Sequence, residues 1–322
     1  MSAADEDRPA PPPDGVAVVD KPAGWTSHDV VAKARGLLGT RKVGHSGTLD
    51  PDATGVLVLG VGRSTRLLRF LSGLGKAYTG EVVLGVETST LDAAGEVVAV
   101  HDMAGTGIAD VRGAAAGFVG DIEQVPPMVS ALKVGGRRLH ELAREGKEVE
   151  RAPRPVHIER FDVEATSDPL VFRVAIECSS GTYVRSLAAD LGRALGGGAH
   201  LRALRRTSVG RFTLADAVAL DGLDPSRVLP PAEAVRHLER VPVDDDVAAA
   251  VGHGKVLPLG ALGGAGGAGG LGAGPWAVVD GRGRLLAVYE AHRAGTAKPA
   301  VVVAPTTSPA ASTDGWHRET DR

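Results

Sequence analysis

With 322 residues, 43% of them apolar and 23% charged, the chain has globular proportions and exceeds one average domain, so one large domain with a smaller one is predicted. A net charge of −3 excludes a protein held to polyanions by global charge alone, and one cysteine, Cys178, excludes an internal disulfide and fits a reducing compartment. No apolar run is long enough to span a membrane, and the acidic start at Asp5, Glu6 and Asp7 lacks the signal-peptide pattern, so a cytoplasmic protein without membrane association is expected.

Residues 1–14 are polar and Pro-rich and read as a disordered tail. A strand is predicted at 16–19, then a turn through Lys21-Pro22-Ala23-Gly24-Trp25, then a helix over 29–38 with Ser27 as its cap. After a polar loop, Val56-Leu57-Val58-Leu59 reads as a buried strand, 65–71 as a short helix, 76–86 as a strand and 96–100 as its neighbour. A helix is expected over 110–118. From 120 to 155 the sequence is basic and Pro-marked, with Leu139, Leu142 and Ala143 at helical spacing, which reads as a long excursion suited to covering a ligand. Residues 156–165 and 170–178 form an expected antiparallel pair. A helix over 183–195 is stopped by Gly196-Gly197-Gly198, and 199–211 returns as a basic strand or loop. Short helices are predicted at 214–220 and 231–238.

Beyond Val241 short β-like runs alternate with Gly-rich turns, and Asp280-Gly281-Arg282-Gly283 is a strong hairpin signal. The Gly/Ala tract 261–274 is predicted to be a flexible insertion, and 306–322 a second disordered tail. The sequence thus divides into a catalytic domain over 15–240 and a small β-rich domain over 241–305.

One stretch concentrates the polar chemistry. Gly44-His45-Ser46-Gly47-Thr48-Leu49-Asp50-Pro51 delivers an imidazole, two hydroxyls and a carboxylate within six residues, on a backbone that two glycines free to turn. The apolar run that follows at once braces this loop on the core. With Ala53-Thr54-Gly55-Val56-Leu57 and the preceding Lys21-Pro22-Ala23-Gly24-Trp25-Thr26-Ser27, the stretch closely resembles the signature of the TruB family of bacterial tRNA pseudouridine synthases. Further blocks match in order: Lys76-Ala77-Tyr78, Gly120 to Pro127, Ser130-Ala131-Leu132-Lys133, Gly181-Thr182-Tyr183-Val184-Arg185, and Gly198-Ala199-His200 through Thr207.

The resemblance implies an α/β (α+β) fold, a pseudouridine synthase catalytic domain on a mixed, mainly antiparallel sheet, with a small C-terminal β-rich PUA-like domain. It implies isomerisation of the uridine at position 55, in the TΨC loop of tRNA, without a guide RNA and without a cofactor or metal. Asp50 is then the nucleophile and Arg185 its pairing arginine; a carboxylate buried under a base needs such a cation to stay ionised. Tyr78 corresponds to the tyrosine that stacks on the extruded base, Tyr183 and Leu204 to positions contacting the uridine, and His45 to the residue filling the space the base leaves. The PUA-like part would hold the acceptor side of the tRNA.

Local basic patches suit a grip on one shaped RNA, or else solvated helix faces. Lys133, Arg137 and Arg138 are expected to touch phosphates from the excursion; Arg202, Arg205 and Arg206 do so from the other side or fix loops. Lys21 is a candidate phosphate or structural contact, and Asp52 is expected to face solvent. The ten histidines show no paired short spacing, and both Gly-rich stretches lack the Gly-Lys-Ser/Thr ending of a P-loop, so neither a metal nor a nucleoside triphosphate is expected. Aromatic residues make up only 3%, too few for a stacking platform along a single strand. A non-catalytic RNA chaperone would lack Asp50 or Arg185, and a guide-dependent relative would need partner-binding extensions. A glycosidase would need two carboxylates facing across one substrate, and near Asp50 only Asp52 is close. A monomer is expected.

Overall fold

The computed structural model describes residues 13–263 and 271–303, apart from 131, 135, 140, 141, 143, 144 and 148. The predicted tails therefore fall largely outside the described residues, as do the centre of the Gly/Ala insertion and Ala143 of the excursion. The chain divides into two compact units, Met1–Pro230 and Pro231–Arg322.

The first unit is built on a mixed sheet of ten strands. Along the chain come β1 (Gly15–Lys21), α1 (Ser27–Leu37), β2 (Val43–His45), β3 (Thr54–Val61), a 3-10 turn running into α2 (Arg69–Ser72), β4 (Lys76–Leu84), β5 (Val86–Thr88), β6 (Val97–Val100) and α3 (Ile108–Ala116). Then follow β7 (Gly120–Gln124), β8 (Lys133–Val134), β9 (Arg137–Arg138), β10 (Arg154–Ala165), β11 (Val171–Cys178), α4 (Val184–Ala194), β12 (Ala199–Val209), β13 (Phe212–Thr213) and β14 (Val218–Ala219). The order across the main sheet is β14-β1-β3-β12-β4-β11-β10-β7, with β2 on β3 and β13 on β12. Only β1 with β14 and β3 with β12 run parallel, so the sheet is mainly antiparallel, as expected from the sequence.

Burial explains the patterning. Every residue of β3 from Gly55 to Val61 is buried, which is why its apolar run is continuous rather than alternating. Val30, Val31 and Ala34 of α1 pack with Val19, Leu57 and Leu59 of β1 and β3. In a second cluster Val184, Leu187 and Leu191 of α4 and Val111 of α3 meet Val82, Ile158, Phe161 and Val174.

Four local expectations need correction. Thr26, not Ser27, caps α1: its hydroxyl accepts from the Asp29 N–H at 3.1 Å, and Asp29 accepts from the Thr26 N–H at 3.0 Å, a reciprocal box. Strand β6 does not adjoin β4 but pairs with β5 in a separate two-stranded ribbon, while β4 lies between β12 and β11. The excursion begins later than 120, because β7 is an edge strand of the main sheet paired with β10. The helices predicted at 214–220 and 231–238 are short 3-10 turns, Leu214–Asp216, Leu220–Gly222 and Pro231–Val235, with β14 and a further 3-10 turn, Pro225–Arg227, between them.

Two chain ends assigned to unstructured segments are also held. Asp14 accepts from the Arg63 backbone N–H at 2.7 Å and its side chain pairs with the Arg63 guanidinium. At the edge of the Gly/Ala tract, Leu262 is buried in the second unit's core.

That second unit carries β15 (Glu239–Pro242), α5 (Asp245–Gly252), β16 (Leu257–Pro258), α6 (Leu259–Gly263), β17 (Trp276–Val279), β18 (Leu285–Ala291) and β19 (Thr296–Val302). Its five strands are ordered β15-β17-β18-β19-β16 around Trp276, Val278, Tyr289 and Val251. The hairpin read at 280–283 joins β17 to β18. Asp280 fixes it by accepting from the backbone N–H groups of Arg282 and Arg284, both at 2.9 Å.

Candidate active site

The loop between β2 and β3 is pinned from three directions, each by an element of the sheet or its first helix. Ser27, the first residue of α1, is buried and its hydroxyl both donates to the Leu49 carbonyl at 3.2 Å and accepts from the Leu49 N–H at 2.9 Å. Lys21, at the end of β1, is 0% exposed; its ammonium donates to the carbonyls of Trp25, Pro51 and Pro22 at 2.6, 2.7 and 2.9 Å. Burial pushes that ammonium down to about 8. Arg206, on β12 and 1% exposed, donates to the carbonyls of Val56, Gly47 and Thr48 at 2.8, 3.1 and 3.2 Å.

Such close approach is possible because Gly55, opposite Arg206 in the β3–β12 pairing, has φ +102° and no Cβ; one would lie 2.1 Å from the Arg206 carbonyl oxygen. The loop is therefore a rigid shelf.

Asp50 projects from this shelf toward α4. Arg185, 4% exposed in the first turn of α4, meets its carboxylate side-on: Nε lies 2.9 Å from one oxygen and Nη2 3.2 Å from the other. The same guanidinium donates to the carbonyls of Thr90 at 3.0 Å and Val129 at 2.9 Å, and lies 3.5 Å from the Asp92 carboxylate. Arg185 is thus fully engaged, and two fixed carbonyls orient it for the bidentate pair. The start of α4 is held by Gln124 of β7, 2% exposed, which accepts from the Tyr183 N–H at 2.7 Å and donates to the Tyr183 carbonyl at 3.1 Å.

These groups enclose a pocket of about 390 Å³ whose lining includes Asp50, Tyr78, Tyr183, Arg185, Leu204 and Arg206. Tyr78 of β4 is buried, and desolvation raises its phenol above the ordinary value, with Arg206 opposing; the ring presents a protonated hydroxyl at neutral pH. Desolvation raises Tyr183 in the same direction. The volume suits a single nucleotide base, with a carboxylate on one wall and an aromatic face on another.

The structure thus brings Asp50, Tyr78, Tyr183, Arg185 and Leu204 together, and separates other candidates from them. His45 does not line the pocket; its ring stands edge-on to His28 with centroids 5.4 Å apart. Of the two roles expected for Lys21 the structure shows the structural one, its ammonium buried on carbonyls, and Arg206 holds the loop. Arg202 pairs with Glu81 at 2.7 Å, and Arg205 with Asp20 at 2.7 Å, both beside a separate depression beyond Leu204. Arg137 pairs with Glu145 beside the β8–β9 hairpin that carries Lys133 and Arg138. Asp52 is exposed, as expected.

Sequence reading missed Asp92, Thr90 and Gln124. One signal was available: the triplet Thr-Leu-Asp occurs at 48–50 and again at 90–92, and both aspartates meet Arg185. Among the described residues no group of His, Cys, Asp and Glu could hold a metal ion.

Comparison with known proteins places the chain in one family. The model of the TruB family pseudouridylate synthase N-terminal domain matches residues 35–184, and that of the tRNA pseudouridylate synthase B C-terminal domain matches 185–240. Among solved structures, one described as a Cbf5-Nop10-Gar1 complex aligns with a TM-score of 0.68 at 28% identity, covering 91% of this chain and 84% of that one. An H/ACA RNP bound to a substrate RNA containing 2'-deoxyuridine aligns with a TM-score of 0.66 at 26% identity, covering 92% and 85%. The fold is that of a pseudouridine synthase. A tRNA pseudouridine synthase B from Arthrobacter sp. (strain FB24) is 48% identical over 90% of this chain and 97% of its own length. One from Rhodococcus jostii (strain RHA1) is 48% identical over 91% and 95%. The chain belongs to the TruB family.

Proposed function

We infer that the chain is a tRNA pseudouridine synthase that isomerises the uridine at position 55, in the TΨC loop, and that Asp50 is its nucleophile. The observation that carries this reading is the Asp50 carboxylate held by two nitrogens of Arg185 at the wall of a base-sized pocket. The uridine must be extruded to reach it, at a cost of roughly a few kcal/mol that is lower in a loop than in a duplex. Asp50 adds to the extruded nucleotide, the bond between ribose C1′ and uracil N1 breaks, the base turns, C5 bonds to C1′, and the bond to Asp50 breaks to free the carboxylate. Atoms balance without a co-reactant: C5 gives up its proton and N1 gains one. Arg185 aims the carboxylate, Tyr78 supplies an aromatic face and a phenol for proton transfer, and Tyr183 and Leu204 confine the detached base.

The tRNA is held by contacts spread around this pocket. Lys133, Arg137 and Arg138 on the excursion and Arg202 and Arg205 on β12 are proposed phosphate contacts, the last two after release from Glu81 and Asp20. The catalytic domain is the first unit, ending at Pro230 rather than at 240, and the β-rich second unit is PUA-like and takes the acceptor side. The enzyme acts as a cytoplasmic monomer without guide RNA: its nearly full-length relatives bear the name of a tRNA enzyme, and no helix among the described residues is long and apolar enough to cross a membrane.

Tritium release from tRNA labelled at uridine C5, with the product position mapped, tests the reading. Release that maps to position 55 and is abolished in Asp50→Ala, with tRNA binding kept, is the expected result. Tight binding without release by the wild-type protein would favour an RNA chaperone instead.

A further inference from the structure

Lys76 lines the pocket but has no part in the chemistry above. It stands two residues before Tyr78 on β4, so both side chains leave the strand on the same face. Its ammonium has three donors. Two are directed at carbonyls, Leu74 at 2.9 Å and Ser72 at 3.4 Å, and among the described residues no carboxylate pairs with it.

The nearest charged neighbour is another cation. A Cβ built on Gly47 would lie 3.6 Å from Lys76 Cε and 3.9 Å from an Arg206 guanidinium nitrogen, so the two side chains converge over the bare Cα of Gly47. Burial, and then the charge of Arg206, push the Lys76 ammonium down to about 8. Arg206, 1% exposed, spends its guanidinium on the loop carbonyls and the Tyr78 hydroxyl, so the donor left over is on Lys76. Ser46 is 4% exposed, lines the same pocket, and its hydroxyl has no hydrogen-bond partner. A half-buried ammonium with no carboxylate partner, an unused hydroxyl and the missing side chain of Gly47 define a place for a small anion.

Given the proposed reaction, on which this inference rests, the anion available is the phosphodiester of the strand entering the pocket. We propose that the Lys76 ammonium seats the backbone phosphate flanking the extruded uridine, with the Ser46 hydroxyl beside it. The target nucleotide is then held by its phosphate on one wall while its base faces Asp50 and Tyr78. A neutral uracil edge would leave the Lys76 ammonium uncompensated, which favours the phosphate as occupant.

The test places a methylphosphonate, which removes the charge and keeps the linkage, on the 5′ or the 3′ side of the target uridine in a tRNA. Equilibrium binding is measured in the Asp50→Asn background, so that no product forms, with Lys76, Lys76→Gln or Lys76→Arg. With Lys76 in place, one of the two modified tRNAs is expected to bind about tenfold more weakly than normal tRNA, a loss of one charged contact. The slope of log affinity against log salt should fall by roughly 0.7. Lys76→Gln should show both changes on normal tRNA and no further loss with that modified tRNA, whereas Lys76→Arg keeps the sensitivity. Equal binding of both modified tRNAs and normal tRNA overturns the proposal and requires no variant. So does a Gln variant whose loss adds to that of the modification, or one that lowers turnover while binding is unchanged. Wild-type enzyme on normal tRNA is the separate control: lack of pseudouridine there refutes the proposed reaction, whatever the binding data show.

Discussion

Replacing Arg185 by Lys keeps the positive charge and removes the fork. The guanidinium supplies two hydrogen bonds to Asp50, at 2.9 and 3.2 Å, and one each to the carbonyls of Thr90 and Val129. An ammonium has three donors on one atom and cannot reach both carboxylate oxygens and both carbonyls from that position. At least one charge-assisted bond is lost, worth about 1.5–3 kcal/mol, and one buried carbonyl goes unpaired at about 1–3 kcal/mol. The first loss acts on the carboxylate's aim and so on the barrier, because Asp50 is 42% exposed and its ground-state pairing is partly replaced by water. At about 1.4 kcal/mol per decade this lowers kcat roughly 10- to 100-fold. The second loss acts on stability and lowers Tm. KM for tRNA should hardly change, since the groups Arg185 touches are all protein groups. Single-turnover tritium release gives the chemical rate and thermal unfolding gives the stability. Wild-type kcat in Arg185→Lys, or a defect confined to KM, would refute the claim that bidentate geometry at Asp50 matters.

Three further outcomes follow from the shelf that carries Asp50. Lys21→Met deprives the Trp25 and Pro22 carbonyls of their donor while Pro51 keeps the Gly24 N–H at 3.0 Å, so a stability loss of about 2–4 kcal/mol is expected in urea unfolding; a phosphate-binding lysine would instead leave stability unchanged and weaken tRNA binding. Gly55→Ala forces a Cβ against the Arg206 carbonyl at φ +102°, and should destabilise by several kcal/mol, or ~3 at least, with an unfolding midpoint to match; a near-normal midpoint would show that β12 yields there. Burial, with His28 and then Arg206, lowers the His45 imidazole below its usual 6.5. The unfolded chain then binds the extra proton first, so the stability present above pH 6.5 is lost as pH falls through the window beneath it. His45→Gln should lose less Tm than wild type between pH 7.5 and 5; parallel curves would contradict this.

Much of the site was legible because its loop must be polar, glycine-rich and followed by a buried strand, and those demands fall on consecutive residues. Asp50 and Arg185, by contrast, are joined only through the resemblance; no spacing rule connects a loop to a helix 135 positions later. Two cations left open between phosphate and structural roles share one cause. Lys21 and Arg206 both bond backbone carbonyls, and carbonyls leave no trace in residue types. The placement of β6 failed for a related reason, since alternation shows that a segment is extended but not which strand it meets. Asp92 was overlooked because its turn reads as an ordinary Asp-Ala-Ala-Gly reversal. What marks it is the Arg185 guanidinium on the other side.

The clamp of Arg206 on the loop carbonyls also constrains how the enzyme can be made. Arg206 follows Thr48 by 158 positions, and the parallel pairing of β12 with β3 cannot form until both have left the ribosome. At about 5–20 residues per second, the finished catalytic loop waits roughly 8–30 s for its clamp. During that interval the carbonyls of Gly47, Thr48 and Val56 lack their donor and β3 lacks its neighbour. A nascent chain stalled before residue 199 carries Asp50 and Arg185 both, yet its loop is pinned by Ser27 and Lys21 alone, so the shelf is completed only as the last central strand of the sheet emerges.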